Sequence, residues 1–202
     1  MALNGSTLGQ LMKAQCLSKG LKGTMIAPFC LAMGEGVVTS FVQMNKVQTM
    51  DVGVLTVGVG KGKMLGLLPQ PLLQAAVPLM LSQGLKGTKS KDFMEALCNA
   101  TALHFNAMNE VSTTHTTVAL GTGIGKVLGL TPNSMVSLIK SKMAAKNIKG
   151  EKLEPLVKAY CTAFCNVVMS TTTVQVTITG VPAPLVVLVP IPSVGSGQGK
   201  VT

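Results

Sequence analysis

The sequence contains no tryptophan, no arginine and only one tyrosine. Proteins that read a nucleic-acid sequence usually contact base edges with arginine and stack bases on aromatic side chains. The 17 basic residues are all lysines, and with seven acidic residues they give a formal net charge of +10. Such an excess permits non-specific contact with phosphates or with an acidic partner. Sequence-specific recognition of nucleic acid is therefore not expected.

Charge of either sign is also scarce. Charged residues make up 12% of the chain and hydrophobic residues 47%, so charge is about half as frequent as in an average soluble domain. Much of the surface must then consist of glycine, small polar residues and apolar groups. This composition favours a protein whose surface is largely covered by neighbouring subunits, although β proteins rich in glycine and threonine can also carry few charges.

Cysteine is present, but not in a metal-binding pattern. The five cysteines are an odd number and include no pair of CxxC motifs. Cys161 and Cys165 are one helical turn apart and offer two ligands, too few to close a zinc site. We expect buried small hydrophobic residues in a reducing compartment, with no metal and no cofactor.

No segment suits a membrane. The start, MALNGSTLGQ, is polar and lacks the basic and apolar regions of a signal peptide. The most apolar stretch, residues 181–192, is too short to cross a bilayer and contains four prolines. We expect a soluble chain without membrane contact, in which residues 181–202 form an extended C-terminal arm.

The chain repeats itself in register. Gly20-Leu21-Lys22-Gly23 returns as residues 84–87 and, at almost the same spacing, as residues 147–150. Residues 62–67 likewise match residues 125–130. A nearly constant period of this length is the signature of tandem structural repeats.

Each copy has the same predicted plan of helix, helix and extended segment. The first helix is expected over residues 6–19, 70–83 and 132–146, and the second over residues 25–44, 89–108 and 151–169. The glycine after the first helix supplies the left-handed cap. The predicted fold is α+β, mainly α: three tandem helix-hairpin units, each followed by an extended Val/Thr/Gly segment, over residues 1–60, 61–124 and 125–180, and then the arm.

Glycine and proline lead to two further expectations. Pro28, Gly34 and Gly36 lie inside the second helix of the first copy, so this helix is expected to start late or to kink. Residues 58–62 and 121–125 are glycine-rich joins between copies, and we interpret them as flexible linkers.

The Val/Thr segments are candidate interfaces. Residues 174–179 alternate strictly between apolar and polar side chains, which predicts a strand. An unpaired strand edge is an association site, so this pattern favours a homo-oligomer. The interface candidates are Val174, Val176, Ile178, Leu185, Val187 and Val189. An intramolecular sheet is the alternative.

No catalytic pattern is found. Residues 121–126, Gly-Thr-Gly-Ile-Gly-Lys, fail the phosphate-loop pattern in spacing, and Val127 stands where the pattern needs Ser or Thr. Cys98 and His104 are six residues apart and lie on nearly opposite faces of one helix, so they do not form a nucleophile and base. We expect the chain not to be an enzyme.

One resemblance supports an assembly role. The second helix runs into Asn-x-Val-x-Thr at residues 45–49, and Gly-x-Gly-Lys-x-Leu-Gly-Leu follows at residues 60–67. With its duplication, few charges and Pro/Gly-rich end, the chain resembles small structural proteins of tailed bacteriophages. The resemblance implies a virion protein, assembled in the host cytoplasm, that oligomerises and joins other virion proteins in a tail, baseplate or neck. It carries over no catalytic residue.

The alternative function is a basic module that binds nucleic acid non-specifically. Five lysines form the only dense basic group and are the possible phosphate contacts: Lys140, Lys142, Lys146, Lys149 and Lys152. A solvated helix end explains the same group without any ligand. The sequence leaves open whether the three units close into a pseudo-threefold ring or stack in a line.

Overall fold

The computed structural model describes residues 4–44, 46–54, 57–84, 86–115, 120–180 and 193–201. The helices are α1 (Gly5–Ser18), α2 (Ile26–Met44), α3 (Pro69–Ser82), α4 (Ser90–Met108), α5 (Pro132–Ala145) and α6 (Leu153–Thr171). The strands are β1 (Lys46–Val54), β2 (Val57–Leu65), β3 (Glu110–His115), β4 (Leu120–Leu128), β5 (Thr173–Gly180) and β6 (Ser193–Val201). The α+β class with helices predominating, expected from the sequence, is confirmed.

Two helices and then two strands follow one another three times. The paired helices begin at positions 5 and 26 in the first set, at 69 and 90 in the second, and at 132 and 153 in the third. This spacing is the same as that of the repeated turn sequence. The expected unit boundaries after residues 60 and 124, however, fall inside β2 and β4.

The six strands form a closed antiparallel barrel in the order β1 to β6, and β6 pairs with both β5 and β1. Every described strand is therefore paired on both sides within the chain, and the expectation of open strand edges is wrong. The expectation of an extended arm is also wrong for residues 193–201, because β6 completes the barrel. Residues 181–192 lie outside the described residues.

The helices also form a ring. Each helix contacts the next along the chain, and α6 contacts α1. Because α2, α4 and α6 each lead into a barrel strand within two residues, the helical ring lies at the end of the barrel where β1, β3 and β5 begin. The three sets of helices and strands therefore close in a ring rather than stack in a line.

The longer helices meet around an aromatic core. The ring of Phe41 on α2 lies 4.7 Å from that of Phe105 on α4, edge to face, and 6.2 Å from that of Phe164 on α6. The hydroxyl of Tyr160 is 2.8 Å from that of Thr101, so its polar atom is satisfied although the residue is buried. Contacts between aromatic rings add about 0.5–1.5 kcal/mol each beyond area burial.

The turns between paired helices follow the predicted cap. Gly20, Gly84 and Asn147 have φ values of 72°, 77° and 53°. After α1, the amide of Leu21 donates to the carbonyl of Cys16 at 3.1 Å. This bond and the left-handed glycine define a Schellman cap, and the buried Leu21 packs back on the helix. The predicted glycine cap is confirmed.

Helix α2 is continuous and begins at a position equivalent to the starts of α4 and α6, so the expected late start is wrong. Pro28 lies in the first turn, where no backbone N–H is needed. A Cβ on Gly34 would lie 2.6 Å from the backbone nitrogen of Gly9, and a Cβ on Gly36 would lie 2.7 Å from the Cβ of Ala76. Close packing of α2 on its two neighbours therefore requires these glycines and offsets their low helix propensity.

Candidate functional site

The barrel encloses a group of polar side chains, here called the polar cluster: Thr49, Asp51, Thr113 and His115. All four are buried, because alternate residues of β1 and β3 face inward. Thr49 donates to one carboxylate oxygen of Asp51 at 2.9 Å, and Thr113 donates to the other at 3.4 Å. The Nε2 atom of His115 lies 3.2 Å from that second oxygen. Three side chains thus surround one carboxylate.

The glycine-rich strands leave room for this cluster. A Cβ on Gly60 would overlap Oδ1 of Asp51 and Oγ1 of Thr113, and a Cβ on Gly58 would overlap the imidazole ring of His115. A six-stranded barrel is too narrow for side chains from every strand. The interpretation of residues 58–62 and 121–125 as flexible linkers is therefore wrong, since they lie in β2 and β4.

A carboxylate beside an imidazole is a chemistry found in catalytic sites, but here both side chains are completely buried. The arrangement holds a polar pair inside the barrel and offers no exposed reactive atom. The sequence did contain a signal for it. Asp51 and His115 stand at the same offset from the repeated turn sequence, so a pair of polar residues at one level of the strands was open to prediction.

The cysteines are buried, as expected. Burial raises the pKa of the Cys98 thiol to about 12 and lowers the pKa of His104, so neither group is tuned as a nucleophile or a protonated partner. Burial likewise raises the pKa of Cys165 to about 12, and it raises the pKa of Cys161. Among the described residues, no three metal-binding side chains come together.

The helix turns enclose an open cavity at the end of the ring away from the barrel. Two adjoining cavities, of about 460 and 590 Å³, share Ile26 and Leu156 as lining residues. The first is floored by Phe29 and Phe93, whose rings pack edge to face 5.8 Å apart. Four lysines border the pair of cavities: Lys22, Lys86, Lys149 and Lys152. We call this feature the lysine-rimmed trough.

Several of the predicted phosphate contacts are already paired. Lys140 binds Glu154 at 3.0 Å, and Lys146 binds Glu95 at 3.0 Å. Lys142 is exposed on α5, whereas Lys149 and Lys152 border the trough. The structure therefore divides the dense basic group between ion pairs and a separate cavity, and it does not present the five as one surface.

Two of the predicted interface residues are buried within the chain. Val174 and Val176 are buried inside the barrel, so they are not available to a neighbouring subunit, and the intramolecular alternative holds for them. Ile178 belongs to β5, but its side chain lies outside the described part of the structure. Leu185, Val187 and Val189 fall in residues 181–192, which the structure does not describe.

Apolar side chains are nevertheless exposed on the outside of the barrel. Met50 is 78% exposed, Ile124 62% and Val59 51%. Thr114 of β3 is the cross-strand partner of both Val59 and Ile124, and Met50 lies diagonally from Val59 across β1 and β2. These four residues form one surface, here called the outer barrel face. Sequence periodicity did not single it out, because β2 and β4 were not predicted as strands.

Comparison of the chain with protein-family models, with curated proteins and with solved structures returned no match. Within the described residues, none of the helices is long and apolar enough to cross a membrane.

Proposed function

We propose that the chain is a structural protein of a tailed-phage particle, assembled in the host cytoplasm, that associates with itself and with neighbouring virion proteins in a tail, baseplate or neck. It would work through contact surfaces and not as an enzyme. We also propose that its three sets of helices and strands are tandem copies of one unit. The nearly equal spacing of the helix starts supports the duplication.

The outer barrel face is the observation that carries this proposal. Apolar side chains exposed by half or more of their area stand together on it, at strand positions that no helix covers. Covering such side chains removes apolar area from water at about 25 cal/mol per Å². Association would then use side chains, since the backbone of each described strand is already paired within the chain.

The ring arrangement suggests where such a protein would sit. Three similar units around one axis match the symmetry of a threefold partner, so a single chain can contact three equivalent neighbours. Phe29, Phe93 and Leu156 occupy matched positions of the three units and all line the trough. This correspondence supports a place on the axis of a tail or baseplate.

Light scattering behind size exclusion tests self-association. The wild-type protein is expected to form oligomers that persist or grow at high salt, because salt screens repulsion between chains of charge +10 and strengthens apolar contact. The double variant Met50→Gln/Ile124→Gln is expected to be monomeric. Thr177→Gln, at an exposed position on β5, is the matched control and should associate like wild type.

A wild-type monomer at all concentrations and both salts would contradict self-association. Equal loss of oligomers in the control would show that the outer barrel face is not the contact.

Non-specific binding of nucleic acid, the second candidate, is supported by Lys142, Lys149 and Lys152, which are exposed. It predicts the opposite salt dependence, with affinity for duplex DNA falling steeply as salt rises.

A further inference from the structure

We infer that the lysine-rimmed trough is the docking site for an acidic segment of a partner protein, one with apolar side chains along one side. The inference goes beyond the proposed function because it concerns a surface at the opposite end of the molecule from the barrel. It holds whether or not copies of the chain associate through the outer barrel face.

The rim of the trough carries an excess of positive charge. The three helix turns, residues 19–24, 83–89 and 146–152, contain seven lysines and a single carboxylate, Glu151. Within the described residues, Lys22, Lys149 and Lys152 make no ion pair. Lys89 and Lys146, at the edges of the turns, are paired with Asp92 and Glu95. The rim of the trough is therefore a concentration of positive charge that the chain itself does not neutralise. An acidic partner would complement it.

The floor of the trough is apolar. Ile26, Phe29, Phe93, Leu153 and Leu156 line it, so its base is apolar although its rim is charged. A bound group must present carboxylates to the rim and apolar side chains to the floor. An amphipathic polypeptide segment meets both requirements at once.

Nucleic acid fits this site less well. Bases bind single-stranded nucleic-acid sites by stacking on open aromatic faces. Phe29 is only 6% exposed, and its ring packs edge to face against Phe93. Phosphates alone would use the rim and leave the apolar floor uncovered. The cavity volumes, about 460 and 590 Å³, lie in the range that holds several side chains of a partner.

A synthetic peptide tests the site directly. The probe is a fluorescein-labelled peptide of about 14 residues in which glutamates and leucines are placed on opposite faces of a helix. Binding is followed by fluorescence anisotropy against wild type. The comparison ligands are an oligoglutamate of equal charge and a short DNA duplex.

Two pairs of variants separate the trough from the general charge of the protein. Lys22→Ala/Lys149→Ala/Lys152→Ala removes three rim lysines, and Lys46→Ala/Lys61→Ala/Lys126→Ala removes three exposed lysines of the barrel, with the same change in net charge. Gly150→Trp fills the second cavity from a position with open space around it. Gly87→Trp is its control, because Gly87 is equally open but does not line either cavity.

The amphipathic peptide is expected to bind wild type and both controls alike. Affinity should fall about tenfold in the rim variant, because three exposed charge pairs with the peptide are lost, and it should fall in Gly150→Trp. Oligoglutamate and DNA should bind more weakly than the peptide. Several results would overturn the inference: no binding of the peptide at low salt, equal losses in both lysine variants, or binding of oligoglutamate or DNA as tight as that of the peptide.

The two proposals fail in different ways. Each lysine and tryptophan variant is also measured by light scattering, and the outer-face variant Met50→Gln/Ile124→Gln is titrated with the peptide. Peptide binding by a monomeric outer-face variant would support the trough alone. Oligomers that bind no peptide would support the barrel contact alone.

Discussion

Replacing Asp51 by alanine is expected to destabilise the fold by about 3–5 kcal/mol, the cost of removing one partner from a buried polar pair. In the folded chain, the carboxylate accepts hydrogen bonds from Thr49 and Thr113 and lies 3.2 Å from Nε2 of His115. Each buried group that loses such a partner costs about 1–3 kcal/mol. Three affected groups therefore account for a loss of this size.

A double-mutant cycle isolates the contribution of the pair. His115→Ala alone leaves the carboxylate of Asp51 buried with only two hydroxyl partners, so a similar loss is expected. The double variant should be more stable than the sum of the single losses predicts, by about 1–3 kcal/mol. Urea unfolding followed by circular dichroism measures each free energy. Ser112→Ala, at an exposed position of β3 outside the outer barrel face, is the control and should change stability by less than about 0.5 kcal/mol.

Two results would refute this reasoning. If the Asp51 and His115 losses add within about 0.5 kcal/mol, the two side chains do not stabilise each other. If Asp51→Ala costs less than about 1 kcal/mol, the carboxylate is not the centre of a buried network.

Three other measurements test the packing and the charges. Gly60→Ala should lower the free energy of unfolding by about 3 kcal/mol, because its Cβ would overlap the polar cluster. Gly23→Ala lies in open space and is the control; it should stay within about 1 kcal/mol of wild type in the same unfolding assay. Hydrogen bonds from Lys158 on α6 and Lys140 on α5 lower the pKa of Glu154 from 4.5 to about 2. The contribution of Glu154 to stability should therefore be present above pH 4.5 and lost as the pH falls through about 2. A carbon NMR titration of the carboxyl group should show this midpoint. Because burial raises the pKa of Cys98 and Cys165 to about 12, a thiol reagent at neutral pH should label the native protein far more slowly than the urea-unfolded protein, and equal rates would contradict their burial.

Local signals were sufficient to predict the helices. Pro69 and Pro132 begin α3 and α5, as their sequence positions indicated. The turn residues Gly20, Gly84 and Asn147 end the preceding helices with positive φ. Such signals depend on a few neighbouring residues, so they can be recognised without knowledge of the tertiary structure.

Strands β2 and β4 could not be predicted in the same way. Glycine has low strand propensity, so residues 58–63 and 121–126 resemble loops when considered alone. They form strands because the barrel interior is filled by side chains from β1, β3 and β5, which leaves no space for side chains opposite. Residues 195–200 show the same alternation of glycine with other residues. They lie further along the chain than the spacing of the first two segments predicts, so their equivalence to residues 58–63 and 121–126 was not evident from the sequence.

The candidate docking site was predictable only in part. The recurrence of Lys22, Lys86 and Lys149 in the three turns was visible in the sequence. The cavity between them was not, because it depends on closure of the helical ring. Closure brings the first and third turns, which are separated by the whole second unit in the chain, to opposite sides of one trough.

Ring closure also predicts that the chain can be cut and rejoined. Three residues connect β2 to α3, and three connect β4 to α5. In the barrel, β6 lies between β5 and β1, just as β4 lies between β3 and β5. By the same geometry, α1 should begin close to the end of β6, and joining residue 202 directly to residue 1 leaves five residues between these elements.

A circular permutant that begins at Thr131 and ends at Leu130 is therefore expected to fold with the circular dichroism spectrum and cooperative unfolding of wild type. Opening the chain at residue 130 leaves every helix and strand intact, so the main cost is the altered entropy of one short connection, about 1 kcal/mol or less. A permutant opened within β4, between residues 124 and 125, is the control and should lose stability, because strand β4 is divided. Two results would contradict this expectation: equal unfolding of both permutants, or folding of the second permutant alone. Either result would mean that the start of α1 and the end of β6 are not adjacent, so the three sets of helices and strands do not follow one another around the ring as their sequence spacing implies.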